Sequence, residues 1–142
     1  MIAADTGANW SEARIHELWV ADFTGRISID PEVLEIVAEL HGGGTRIAVL
    51  SNAGFDFASP FRYSPIARFF KRMFVGAEML KLKPEADIHQ EVTSELGITC
   101  AEMVFIDNRQ VNVDGAVALG ITGHHFAAAT GLRRFHHTLA DR

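Results

Sequence analysis

The chain has 142 residues, of which 48% are hydrophobic and 22% charged, with a formal charge of −5. That length suits one domain with a real core and is short for two, and no run approaches the roughly 20 apolar residues that cross a bilayer. The negative balance and the lack of a basic run argue against nucleic acid or an acidic membrane as partner, and the single cysteine, Cys100, excludes an internal disulfide or thiolate cluster.

At the N-terminus, MIAADTGANW has neither the basic start nor the long apolar run of a signal peptide, so a cytoplasmic location is expected. Ser11 is a candidate cap for a helix over Glu12–Leu18, with Ile15, Leu18 and Trp19 as its apolar stripe. Asp30 is a candidate N-cap and Pro31 a first helical residue. Val33, Ile36, Val37 and Leu40 then share one helix face, and Gly42–Gly44 stop it. Thr45–Leu50, Arg72–Val75, Met103–Ile106 and Ile121–Phe126 are short apolar runs of the kind that parallel strands show when both faces are buried. Between and after them, helices are expected over Glu85–Leu96, Gln110–Leu119 and Leu132–Leu139, the first two ending at Gly97 and Gly120.

No repeat, low-complexity tract or Pro/Ser-rich linker divides residues 1–142, so one domain is expected. Alternating strands and helices imply an α/β, doubly wound (Rossmann-like) parallel sheet with helices on both faces. In such folds ligands bind beyond the carboxyl ends of the strands. Those ends carry Ser51-Asn52, then Lys83-Pro84 after a loop, then Asp107-Asn108. A hydroxyl and backbone N–H groups bind phosphate oxygens, an ammonium offsets transferring charge, and a carboxylate is a hard ligand for Mg²⁺. Taken singly, each is equally a turn, a solvated helix start or a helix cap.

The stretches IAVLSNAG, KLKPEADIH and MVFIDNRQVNVDGAVALGITG resemble, in order and spacing, the second, third and fourth motifs of the haloacid-dehalogenase-like (HAD) superfamily. The branch they are most similar to contains small-molecule phosphatases and dehalogenases with a helical cap. The resemblance covers about residues 30–130. It implies a phosphate-binding hydroxyl at Ser51, a lysine at Lys83 that steadies an aspartyl-phosphate intermediate, and a Mg²⁺-binding acid at Asp107. Asn108, the second candidate metal residue, stands where this branch often has a second acid, which leaves the site one carboxylate poorer. A small phosphorylated metabolite is the implied substrate, and nothing in the chain is long enough to be a full cap.

The family's nucleophile motif, D-x-D-x-T after a hydrophobic strand, occurs nowhere in the chain. Without that aspartate the covalent route has no start. Two readings address the gap. In one, residues 1–29 include the remnant of a lost cap, and the sheet rearranges or a second chain, as in a homodimer, supplies what is missing. In the other, Leu18–Ala21 is the central strand and Asp22-Phe23-Thr24-Gly25 a divergent first motif, with Asp22 as nucleophile and Thr24 where the usual acid/base stands. A non-catalytic module that binds phosphate and Mg²⁺ is the alternative function. A receiver-like module shares the sheet class, but the acidic pair expected after its first strand is absent.

The remaining candidates read as structural. Cys100, just before an apolar strand, is expected to pack as a small residue. His124-His125 would face opposite sides of a strand, and His136-His137 are poorly placed as a pair on a helix, so neither suits a metal. Phe69, Phe70, Phe74 and the two tryptophans read as core.

Overall fold

Strands and helices alternate along the chain, as its apolar runs imply. The computed structural model describes residues 2–5, 15–18, 30–55 and 62–140. Two N-terminal strands, β1 (Ile2–Asp5) and β2 (Ile15–Leu18), precede helix α1 (Pro31–Gly42) and strand β3 (Arg46–Ser51). After a 3₁₀ turn at Pro65–Phe69 come β4 (Arg72–Val75), the short helix α2 (Gly76–Met79) and α3 (Ala86–Leu96). A second 3₁₀ turn at Cys100–Glu102 leads into β5 (Met103–Asp107), α4 (Gln110–Val117), β6 (Thr122–His125) and α5 (Ala129–Ala140).

The helix ends are chemically defined. Asp30 Oδ1 accepts the Glu32 backbone N–H at 2.8 Å, with Pro31 at the first helical position, so orphan donors of α1 are met locally. Gly97 closes α3 at φ 70°, a left-handed position that only glycine adopts without cost.

The six strands form one sheet in the order β4-β3-β1-β2-β5-β6, and β2 also pairs with β3. The β3–β4, β5–β6, β2–β3 and β2–β5 pairs are parallel, while β1 runs antiparallel to both β2 and β3. Side chains alternate across this sheet with period two. Ile47, Val49, Val104 and Ile106 pack on one face with Val33, Ile36, Val37 and Leu40 of α1 and Leu132 and Leu139 of α5. Ala48, Leu50, Met103 and Phe105 pack on the other with Ile88, Val92 and Leu96 of α3 and Ala116 of α4. Both faces are covered, which is the doubly wound arrangement.

Two features differ from the sequence pattern. The antiparallel β1 makes the sheet mixed. The helix expected over Glu12–Leu18 is replaced, where described, by β2. The physical reason is the gap in the sheet between β3 and β5, which β1 and β2 fill together. β2 pairs with β1 and β3 on one side and with β5 on the other, whereas a helix would leave buried N–H and C=O groups unpaired. Of the strand expected at Leu18–Ala21 only Leu18 belongs to β2, and residues 19–29, with Asp22 and Thr24, lie outside the described residues.

Candidate functional site

Ser51 and Asp107 are the last residues of β3 and β5, and the parallel register sets both at the carboxyl edge, Ser51 opposite Val75 and Asp107 opposite His125. Lys83 arrives from the loop between α2 and α3. Its position follows from two close approaches. Gly76 starts α2 where a Cβ would lie 2.8 Å from the Lys81 carbonyl and 3.3 Å from that of Ser51, so the loop presses onto the end of β3. On the other side, a Cβ at Gly115 of α4 would meet the Pro84 carbonyl at 2.6 Å. Contacts below 3 Å leave no room for a side chain, so both glycines are needed for the loop to sit there.

The polar groups then interlock. The Lys83 ammonium donates to Asp107 Oδ2 at 3.1 Å and to the Leu50 carbonyl at 3.2 Å, with both charged side chains only 1% exposed. Asn52 clamps the Lys83 backbone, accepting its N–H at 2.9 Å and donating Nδ2 to its carbonyl at 3.2 Å. Asp107 also accepts the Arg109 N–H at 2.9 Å and the Asn112 side-chain amide at 3.0 Å. Ser51 Oγ, fully buried, accepts the Ala53 N–H at 3.2 Å. The peptide between Lys83 and Pro84 is cis.

Of the residues singled out in the sequence, Ser51, Asn52, Lys83 and Asp107 therefore meet at one edge. Asn108 is exposed, and its carbonyl takes a hydrogen bond from His125 Nε2 at 3.0 Å. His124 stacks on Phe135 at 4.4 Å, and burial lowers its pKa. Phe74 is core on the face covered by α3, and Phe69 and Phe70 pack half-buried against the core on the other face.

Two residues belong to the site without having been singled out. Asn112 lies five residues past Asp107 on the buried face of α4, and a polar side chain among Val113 and Ala116 was the available signal. His89 is fully buried on α3, edge-on to Phe105 at 4.7 Å, and neither ring nitrogen has a hydrogen-bond partner among the described residues. Burial, and then the Lys83 charge, bring its pKa down from 6.5 to about 4. The other side of this cluster is Lys83 itself, whose Nζ lies 5.8 Å from the Phe105 ring centroid.

Fitness for Mg²⁺ rests on Asp107. A carboxylate has about four acceptor positions, and the donors named above take three, which leaves one for a cation. Mg²⁺ commonly uses one or two carboxylates and completes its octahedron with water and phosphate oxygens. Among the described residues no three His, Cys, Asp or Glu side chains gather into a metal cluster, and Asp107 is the buried carboxylate there that would hold the ion.

No family model matches the chain. A phosphoglycolate phosphatase of Salmonella typhi is 28% identical over 91 residues, which are 63% of this chain and 36% of that protein. A sesquiterpene phosphatase of Aspergillus oryzae is 26% identical over 103 residues, 72% of this chain and 53% of that protein. Among solved structures, a HAD-family enzyme of Bacteroides thetaiotaomicron in complex with magnesium and inorganic phosphate is 26% identical with a TM-score of 0.62, covering 70% of this chain and 54% of the other. A hydrolase of Streptococcus pneumoniae TIGR4 shares the fold at 17% identity and a TM-score of 0.68, covering 78% of this chain and 58% of the other.

The fold is that of a HAD-like α/β core, and its structural neighbours include hydrolases and dehalogenases. In fold, and in sequence over part of its length, the chain is similar to haloacid-dehalogenase-like hydrolases, and it spans about a third to about half the length of the curated relatives it matches. No helix among the described residues is long and apolar enough to cross a membrane.

Proposed function

We propose that this chain is the phosphate-handling core of a Mg²⁺-dependent phosphohydrolase that acts on a small phosphate monoester. The observation that carries this reading is the buried Lys83–Asp107 pair set beside Ser51. A buried ion pair contributes little net stability, because desolvation offsets most of the attraction. Buried pairs of this kind at strand ends are therefore candidates for function.

In the proposed chemistry the Ser51 hydroxyl and neighbouring N–H groups bind the phosphate oxygens, and Lys83 offsets their charge. An Asp22 carboxylate oxygen attacks phosphorus, the ester P–O bond breaks, and the leaving alkoxide takes a proton from water. Water then attacks phosphorus of the acyl phosphate, releasing inorganic phosphate and restoring Asp22. With Thr24 in place of the usual acid/base, proton transfer is unassisted there and turnover is slow. Asp107 would hold Mg²⁺, which when bound supplies Lewis-acid stabilisation of the developing charge. The related enzyme solved with magnesium and phosphate supports the same ligand pair for this core. The names of two relatives, a phosphoglycolate phosphatase and a sesquiterpene phosphatase, support a phosphate monoester as the substrate class.

A thermal-shift titration with Mg²⁺ and beryllium fluoride, a mimic of phosphoaspartate, tests the reading without a guess at the substrate. A ligand at a hundredfold excess over its dissociation constant stabilises by about 2.7 kcal/mol. The expected result is a Mg²⁺-dependent rise in melting temperature that Asp22→Asn abolishes. No shift in a folded protein would leave a non-catalytic phosphate-binding module as the function.

A further inference from the structure

Of the six large apolar side chains exposed among the described residues, four lie close in sequence to the buried polar cluster, and Val117 lies at the far end of α4. Leu80, Leu82, Phe55 and Val111 flank the buried polar cluster in sequence. Leu82 adjoins Lys83, Phe55 lies four residues past Ser51, and Val111 is the second residue of the helix that follows Asp107. Arg62, next to the exposed Tyr63, makes a two-pronged bond to Glu78 of α2 at 2.8 and 2.9 Å. The α2 turn in turn packs on the Ser51–Asn52 backbone. Leu80 is 87% exposed, Tyr63 88% and Phe55 69%.

Leu80 adds an independent observation. It sits at φ 57°, the one left-handed non-glycine residue among those described. A leucine there costs conformational energy that glycine would not, and the side chain recovers none of it by burial. Strain held by an exposed apolar residue beside a site points to a role in that site.

We propose that these residues form an apolar rim for the body of the substrate, so that the ligand is an amphiphilic phosphate monoester, a phosphate head on an alkyl or prenyl chain. The inference rests on the phosphate-site reading above. The head group would enter among Ser51, Lys83 and Asp107, which supply a hydroxyl and a cation for an anion. The chain would lie across Leu80, Leu82 and Phe55, where it leaves water. Each methylene so desolvated tightens binding by a factor of about four, so two already give a margin of roughly tenfold. A polar ester such as phosphoglycolate would gain nothing from the same surface.

The test is calorimetric titration of inorganic phosphate, octyl phosphate and octanol, in Mg²⁺ buffer and below micelle formation, into the wild-type chain and the Leu80→Asp/Leu82→Asp variant. Both substituted positions are exposed, so the fold is expected to survive. Octyl phosphate is expected to bind at least roughly tenfold tighter than inorganic phosphate or octanol to wild type. The variant is expected to lose that margin and keep its affinity for inorganic phosphate. Equal affinities for the two phosphates, or a margin that survives the double substitution, overturns the rim. Octanol binding as tightly as octyl phosphate makes it a plain apolar surface and overturns the proposal too. Wild-type dimers by light scattering that vanish in the variant assign the rim to a second copy instead. Failure of inorganic phosphate to bind sinks the underlying phosphate-site reading, a different result from any of these.

Discussion

Opposite charges meet in two kinds of place in this molecule, and they do different things there. At the carboxyl edge of the sheet, Lys83 and Asp107 pair while buried and share Asn112, the Arg109 N–H and the Leu50 carbonyl. On the surface, Arg72 pairs with Glu95 at 2.6 Å and Arg133 with Glu39 at 3.1 Å, with all four side chains more than a third exposed. The distances are similar. What differs is water, which screens the surface pairs and is excluded from the buried one. A buried pair must be complete or absent, because either partner alone is an uncompensated charge in a poorly polarisable place.

The largest expected effect follows from that rule. Lys83→Met should cost about 3–5 kcal/mol in urea unfolding, while Lys83→Met/Asp107→Leu should recover most of the loss. A single variant as mild as the double would erase the distinction between the two regions.

His89 sharpens it from the apolar side. Its folded pKa, about 4, lies below the unfolded value of 6.5, so between those values the unfolded chain binds the extra proton. Stability is therefore complete above about pH 6.5 and declines as pH falls towards 4, by about 3 kcal/mol in all. The urea midpoint followed across that range should fall in wild type and fall much less in His89→Phe. Burial also lowers the pKa of His124 and His136, so the difference between the two proteins isolates the His89 share.

The smallest effect is expected at the surface. Arg72→Ala should change the unfolding free energy by no more than about 1 kcal/mol, and less at high salt. A loss comparable to that of Lys83→Met would mean that exposure does not separate the pairs.

Much of the architecture was legible in the residues, and the particulars show why. Strand Arg72–Val75 and the helices after Asp30 and before Gly97 follow from local chemistry: a short apolar run, an Asp cap with Pro behind it, a glycine at a left-handed end. Ser51, Asn52, Lys83 and Asp107 could be placed together because parallel strands deliver their ends to one edge. His89 was not legible, since Ile88 beside it carries the same helical period and nothing local distinguishes a buried imidazole from an exposed one.

By itself the sequence determined the alternation of elements, their caps, and which strand ends carry a hydroxyl, an ammonium and a carboxylate. These depend on neighbours a few residues apart. Only the tertiary structure decided that Ile15–Leu18 is a strand and not a helical turn, because the deciding groups are the unpaired ladders of β3 and β5, far along the chain. It alone decided, too, that Lys83 lies buried against Asp107 while Leu80 and Leu82 beside it face water. That outcome was set by Gly76 and Gly115, whose missing side chains let two elements close on the loop from opposite sides.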